Sequence, residues 1–184
     1  ETPLPPTLQG DHLIIDGAFV SGTSVTLTSL RLTNGAVLTH PFTDLETEGR
    51  LELNADTLII DATSRIDVSG RGYLGGSSGA NSVNWGGRTF GNTLTGGSSR
   101  RNGGSYGGMG AIGDAGPAAN SVYGAFYHPN EVGSGGGSDS GPGGSGGGLV
   151  HLNVDTIVLD GQILVDGQGG SRYAGGGSGG GLEI

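Results

Sequence analysis

Cysteine and lysine are both absent from this 184-residue chain. Without cysteine there is no disulfide, no thiol nucleophile and no zinc–thiolate site. Without lysine there is no Schiff-base chemistry, no phosphate-loop lysine and no lysine-derived isopeptide crosslink. The eight basic residues are all arginines, outnumbered by seventeen carboxylates, and the net charge of −9 argues against nucleic acid as a partner. Long apolar runs are missing too, and none approaches the ~20 residues of a spanning helix, so no membrane insertion is expected. No stretch keeps the helical period over three turns, which excludes substantial helix.

What is abundant is glycine, 43 residues in all, unevenly placed. Of these, 28 fall in 70–148 and 9 in 167–181, while six punctuate the remainder. The remainder reads as short strands: Leu13–Ile15, Ala18–Val20, Val25–Leu27, Leu30–Leu32 and Ala36–Thr39, each ending near Gly, Asn or Asp. Residues 51–68 return after 99 positions as 150–166: Leu-Glu-Leu-Asn-Ala-Asp-Thr-Leu-Ile-Ile-Asp against Val-His-Leu-Asn-Val-Asp-Thr-Ile-Val-Leu-Asp. Short strands repeated between polar corners predict an all-β chain, a parallel β-solenoid with three strands per coil. Val25–Thr39, Leu51–Val68 and Leu149–Val165 make three such coils. Residues 1–10, with three prolines, read as an extended lead-in, and 11–184 as one domain.

The chain opens at Leu13, Ile14 and Ile15 two strands into a coil, and it reaches Leu182, Glu183 and Ile184 one strand into another. These segments are expected to be self-assembly ends, meeting a second copy or a tandem neighbour, since an open solenoid end is a sheet edge.

Three readings compete for 70–148: flexible linker, collagen-like helix and packed polyglycine-II. Glycine does not recur at every third position, which excludes collagen. Seven of the ten aromatics lie there (Tyr73, Trp85, Phe90, Tyr106, Tyr123, Phe126, Tyr127), which a bare linker would lack. Runs such as 133–137 and 143–148 suit the threefold extended glycine helix, whose neighbours pack closely because no Cβ intervenes.

Three Gly-x-Ser-x-Gly matches, at 103–107, 143–147 and 176–180, lack the strand–turn–helix setting of a nucleophile elbow, and no enzyme is expected. Asp16, Asp61 and Asp160 share one corner of successive coils, and Asp67 and Asp166 another. They are candidate calcium ligands, or solvated corners capping their own turns; no other cofactor is indicated. His12, His40, His128 and His151 have no metal spacing and read as surface or packed residues. Asn54 and Asn153 align as an internal amide ladder. Trp85, Tyr123, Phe126 and Tyr127 are candidates for a glycan platform, or anchors for the glycine loops.

The succession Ile-Asp-Val-Ser-Gly-Arg-Gly-Tyr-Leu-Gly-Gly (66–76), Gly-Gly-Ser-Tyr-Gly-Gly-Met-Gly (103–110) and Gly-Gly-Ser-Gly-Gly-Gly-Leu (143–149) resembles glycine-rich repeats of large bacterial surface proteins. The glycine runs alone resemble the polyglycine-II lattice of phage tail-fibre tip adhesins. The resemblance implies an extracellular or cell-surface location, bacterial in origin. It also implies a structural or adhesive fibre module, with a carbohydrate-binding adhesin module as the alternative.

Overall fold

The computed structural model describes residues 2–3, 12–113 and 119–184. Most of the lead-in lies outside them; its described part is a two-residue strand. The strands run β1 (Thr2–Pro3), β2 (His12–Asp16), β3 (Phe19–Ser21), β4 (Ser24–Thr33) and β5 (Val37–Thr39). They continue as β6 (Leu51–Ile60), β7 (Arg65–Asp67), β8 (Leu149–Leu159), β9 (Gln162–Leu164) and β10 (Gly181–Glu183). A single 3₁₀ turn at Gly79–Asn81 is the one helical element among the described residues. The chain is all-β.

Successive strands alternate between two five-stranded sheets, ordered β1-β3-β5-β7-β9 and β10-β8-β6-β4-β2, with every strand pair parallel. Parallel pairing needs a crossover between partners, and here each crossover passes through a strand of the opposite sheet. The 99-residue repeat appears directly as register: Asn54 faces Asn153, and Leu58 faces Ile157. Columns of Leu, Ile and Val from both sheets meet in one core, including Ile15, Leu32, Ile60, Leu38 and Ile66. Burying side chains of that size removes apolar area from water at ~25 cal/mol per Å².

The expected three strands per unit are two. Val25–Leu27 and Leu30–Leu32 join in β4, and the corresponding stretches join in β6 and β8. The corner survives as a slip in phase. Leu51, Leu53 and Ala55 point inward, then Leu58 and Ile60, so two residues rather than one separate Ala55 from Leu58. The ladder skips Asp56 on both sides of β6, so the strand bends without breaking.

The glycine-rich segments 70–76, 132–138, 143–148 and 175–181 form a second layer continuous with the strands. Their hydrogen bonds change partner with a period of three. Gly143 and Gly146 donate to the carbonyls of Gly76 and Tyr73, and Gly144 and Gly147 to those of Gly175 and Ser178. Likewise Gly133 and Gly136 donate to Gly147 and Gly144, while Gly135 and Ser138 donate to Arg88 and Trp85. Running order shows 143–148 parallel to 175–181 and antiparallel to 132–138. Side chains could not be added here. A Cβ at Gly147 would overlap the Val165 carbonyl oxygen, and one at Gly133 the Gly179 carbonyl oxygen.

Large residues hold this layer down. Tyr73 is fully buried against Val132 and Leu149, and its hydroxyl donates to Glu48 Oε1 at 2.6 Å. Burial, then the neighbouring Glu48 carboxylate, pushes the Tyr73 phenol pKa well above its usual value. Where small side chains do enter, Asn120 organises them: its Oδ1 accepts from Ser98 Oγ at 2.8 Å and Ser105 N–H at 2.7 Å, and its Nδ2 donates to Thr89 Oγ1 at 3.0 Å.

Candidate functional site

The two ends of the stack are built differently. At one end Leu13, Ile14 and Ile15 lie in β2, which covers only the second half of the long strand β4, from Ser29 to Thr33. Ile15 is buried and Leu13 packs on the core, while Ile14 faces outward. Residues 40–50 close the glycine layer on this side. Thr43 donates backbone N–H and hydroxyl to the Arg71 carbonyl, and the Arg71 guanidinium stacks 4.1 Å above the Phe42 ring centroid. His40 is fully buried, its Nδ1 2.7 Å from the Pro41 carbonyl and its Nε2 3.3 Å from the Leu149 amide. Those partners fix a neutral ring protonated at Nδ1, because Nε2 must accept. Burial lowers its pKa from 6.5 to about 4, against the smaller opposing pull of the Pro41 carbonyl.

At the other end nothing plays that closing part among the described residues. Leu182 and Glu183 belong to β10, which covers only the first half of β8, from Leu149 to His151. The second half of β8 and all of β9 carry no further described strand, and core-facing Val154, Ile157, Ile163 and Val165 are only partly buried. Ile184 is exposed. The expected ends therefore occupy opposite edges of one sheet and cover complementary halves of its long strands. Glu183 accepts from the His128 ring at 2.9 Å and lies 3.6 Å from His151 Nε2; the hydrogen bond from His128 holds the carboxyl pKa below its usual value. Sequence reasoning missed this cluster because its members lie 55 and 32 residues apart, with no motif between them.

The aspartates serve the corners. Asp61 accepts from the Asn34 amide at 2.9 Å and from Thr63 N–H and Oγ1 at 2.9 and 2.8 Å. The Asn34 amide leads these donors in drawing its pKa far down. Asp16 accepts from Asn34 Nδ2 and Thr33 Oγ1, tying the next unit to the same corner. Asp67 pairs with Arg65 at 3.1 Å and accepts from the Ser69 amide, while Asp160 and Asp166 stand exposed. Among the described residues no group of three or more His, Asp or Glu is arranged to hold a metal ion, so the five are not gathered into a calcium site. The asparagine ladder exists, with Asn153 Nδ2 donating to Asn54 Oδ1 at 3.1 Å, but on the outer face rather than inside.

The four platform candidates are dispersed. Tyr123 lies in an aromatic cluster with Tyr73, Phe90 and Tyr106, ring centroids 5.2–6.4 Å away, and its hydroxyl donates to the Val132 carbonyl. It is an anchor. Trp85 is 63 % exposed on another part of the glycine layer. Phe126 and Tyr127 form an edge-to-face pair 5.1 Å apart, 90 % and 83 % exposed. No protein-family model, curated protein or solved structure matches the chain.

Proposed function

We propose that the chain is a structural module of an extracellular fibre or bacterial cell-surface protein, a parallel β-solenoid thickened by a polyglycine-II-like lattice. Its task is mechanical, and it stacks end to end on a second copy or a tandem neighbour. One observation carries this reading: the sheet edge at β8, β9 and β10 leaves backbone groups and core-facing aliphatics uncovered. Such an edge templates another strand unless something blunts it. The complementary coverage by β2 and β10 supports it further. Carried through β4 and β6, the register would set a neighbour's His12–Ile15 beside the open Thr156–Leu159 half of β8.

Electron microscopy of the purified protein at rising concentration tests the reading. Unbranched filaments of constant width are expected. Monodisperse single particles at all concentrations, both for the isolated chain and for a tandem fusion of two copies, would remove it.

The exposed Phe126–Tyr127 pair favours one second reading, a carbohydrate-binding adhesin module, because exposed rings stack on sugar faces. Glycan-array binding that is lost in a Phe126→Ala/Tyr127→Ala double variant would support that reading over a purely mechanical one.

A further inference from the structure

The glycine segment 175–181 is as regular as its inner neighbour 143–148, but it is not equally used. In the inner run, five of the six N–H groups donate: Gly143 and Gly146 to one neighbour, Gly144 and Gly147 to a second, Gly148 to Val68. In the outer run Gly175 and Ser178 donate to Gly137 and Ser134, and Gly177 and Gly180 donate to Gln168 and Val165. The third row, the N–H groups of Gly176 and Gly179, donates to nothing among the described residues. Those two stand one level above Gly144 and Gly147, in the register that pairs Leu149 with Gly181. Gly144 and Gly147 use their N–H groups to bind the outer run itself. The free row is thus the donor row with which each level of the stack holds the next.

Space agrees with the bonding. Across the existing contact neither side tolerates a side chain: on the outer run a Cβ at Gly177 would overlap the Ser145 carbonyl and one at Gly180 the Gly148 carbonyl, and on the inner run one at Gly147 would overlap the Gly180 amide. On the free side, a Cβ at Gly179 would meet nothing nearer than the Val165 carbonyl oxygen at 3.8 Å. Beside it runs a groove of about 280 Å³ lined by Tyr106, Phe126, Pro129, Gly179, Gly180 and Leu182. The same Gly-Gly-Ser-Gly-Gly-Gly-Leu pattern occurs at 143–149 and 176–182, each time running straight into a strand, β8 and β10.

We propose that the outer edge of Gly176–Glu183 is a docking site for a further glycine-run segment of the pattern Gly-Gly-x-Gly-Gly-Gly-aliphatic. It adds in parallel and accepts hydrogen bonds from Gly176 and Gly179, as 175–181 does from 143–148. The proposal rests on the stacking reading above and adds polarity to it. The closed end, with residues 40–50 in the glycine layer's place, offers no such run, so over this stretch of the edge the occupant is the glycine run of a tandem neighbour, defined by its chemistry, and not the closed end of a second copy. Glycine is required because the partner backbones must approach within the radius of a Cβ. The conformational freedom lost by an unstructured glycine peptide on docking keeps the affinity modest, with Kd on the order of 1 mM.

The test is a titration of the ¹⁵N-labelled full chain with a synthetic peptide copying residues 142–154, followed by amide shifts. A control peptide carries alanine at the positions of Gly144 and Gly147. Saturable shifts centred on Gly176, Gly179 and the β10 amides are expected, with the alanine peptide weaker by about tenfold or more. Gly179→Val is the companion variant, because its outward face has room in the free protein; it should keep the parent spectrum elsewhere and lose peptide binding. Equal binding of both peptides, shifts centred elsewhere, no shift at several times the expected Kd, or unimpaired binding by the valine variant would each overturn the proposal. Filament formation is read separately: peptide docking without filaments removes self-stacking alone, and filaments without peptide docking remove this site alone.

Discussion

The sheets and the glycine layer are two parts of one stack, held together by opposite means. In the sheets, order comes from side chains: Leu, Ile and Val columns meet in the core, and each inward position is specified by its size. In the glycine layer, order comes from the lack of side chains, so that backbones approach closely enough to bond in threes. The two also fail differently. A sheet loses stability when a side chain is shortened, whereas the glycine layer loses it when one is added. Yet the layers are not separate bodies, because 143–148 runs directly into β8 and 175–180 into β10. Damage to either should therefore melt both.

The largest effect is expected from adding a side chain inside the glycine layer. Gly147→Val would drive a Cβ into the Val165 carbonyl and crowd the Gly180 amide, both backbone atoms that cannot swing aside. A loss of at least about 3 kcal/mol, the upper end of overpacking costs, is expected, seen in chemical denaturation as a collapsed midpoint or no folded state. Next comes shortening a core residue. Leu58 is fully buried between β4 and β8 columns, and Leu58→Ala should cost about 2–5 kcal/mol. In both variants near-UV signals from Tyr73 and Tyr123, which report the glycine layer, should be lost together with the far-UV β signal. Two separate transitions would break the picture of one stack.

The strands were legible because apolar alternation and the 99-residue repeat translate directly into register. The fusion of two strands into β4, β6 and β8 was not, since Asp56-Thr57 reads as a turn and only the neighbouring strands reveal a bend that keeps its ladder. In the glycine layer the aromatics signalled anchoring, and Tyr73 and Tyr123 do anchor it. The partner of each run was illegible, because glycine has no side chain to encode a preference. Nothing in Gly133–Gly137 says that it lies antiparallel to Gly143–Gly148. The aspartates were ambiguous for a related reason: a corner carboxylate that caps a turn and one that binds a cation look alike until its donors are seen. For Asp61 those donors are amides and a hydroxyl.

A smaller effect, confined to a pH window, is expected where the closed end meets both layers. His40 joins the 40–50 segment to the Leu149 amide, and it must stay neutral to accept that hydrogen bond. Its pKa is lowered on folding, so between about 4 and 6.5 the unfolded chain binds more protons than the folded one. The His40 contribution should be complete above pH 6.5, decline as the pH falls toward 4 by up to about 3 kcal/mol, and level off below. The Asp61 carboxyl, depressed from an ordinary value of 3.8, contributes its own loss only at lower pH, so the two limbs separate. His40→Gln should be less stable at neutral pH and lose the slope between about pH 5.5 and 6.5, above the range in which the carboxylates titrate. A slope that persists in that variant would place the titrating group elsewhere.

The smallest effect has the opposite sign, and it isolates what the glycines are for. Gly108 lies in the same glycine-rich stretch, but a Cβ built on it meets nothing within 4 Å, and its φ is not in the left-handed region. Gly108→Ala therefore removes unfolded-state freedom without any clash, and a gain of about 0.4–1 kcal/mol is expected. If glycine were needed throughout for a general extended conformation, this substitution would destabilise like the others. Because the requirement comes from backbone-to-backbone approach, it should hold at Gly147 and vanish at Gly108. Thermal melts of the two variants side by side decide between these accounts: a rise for Gly108→Ala beside a collapse for Gly147→Val places the constraint in the contacts rather than in the composition.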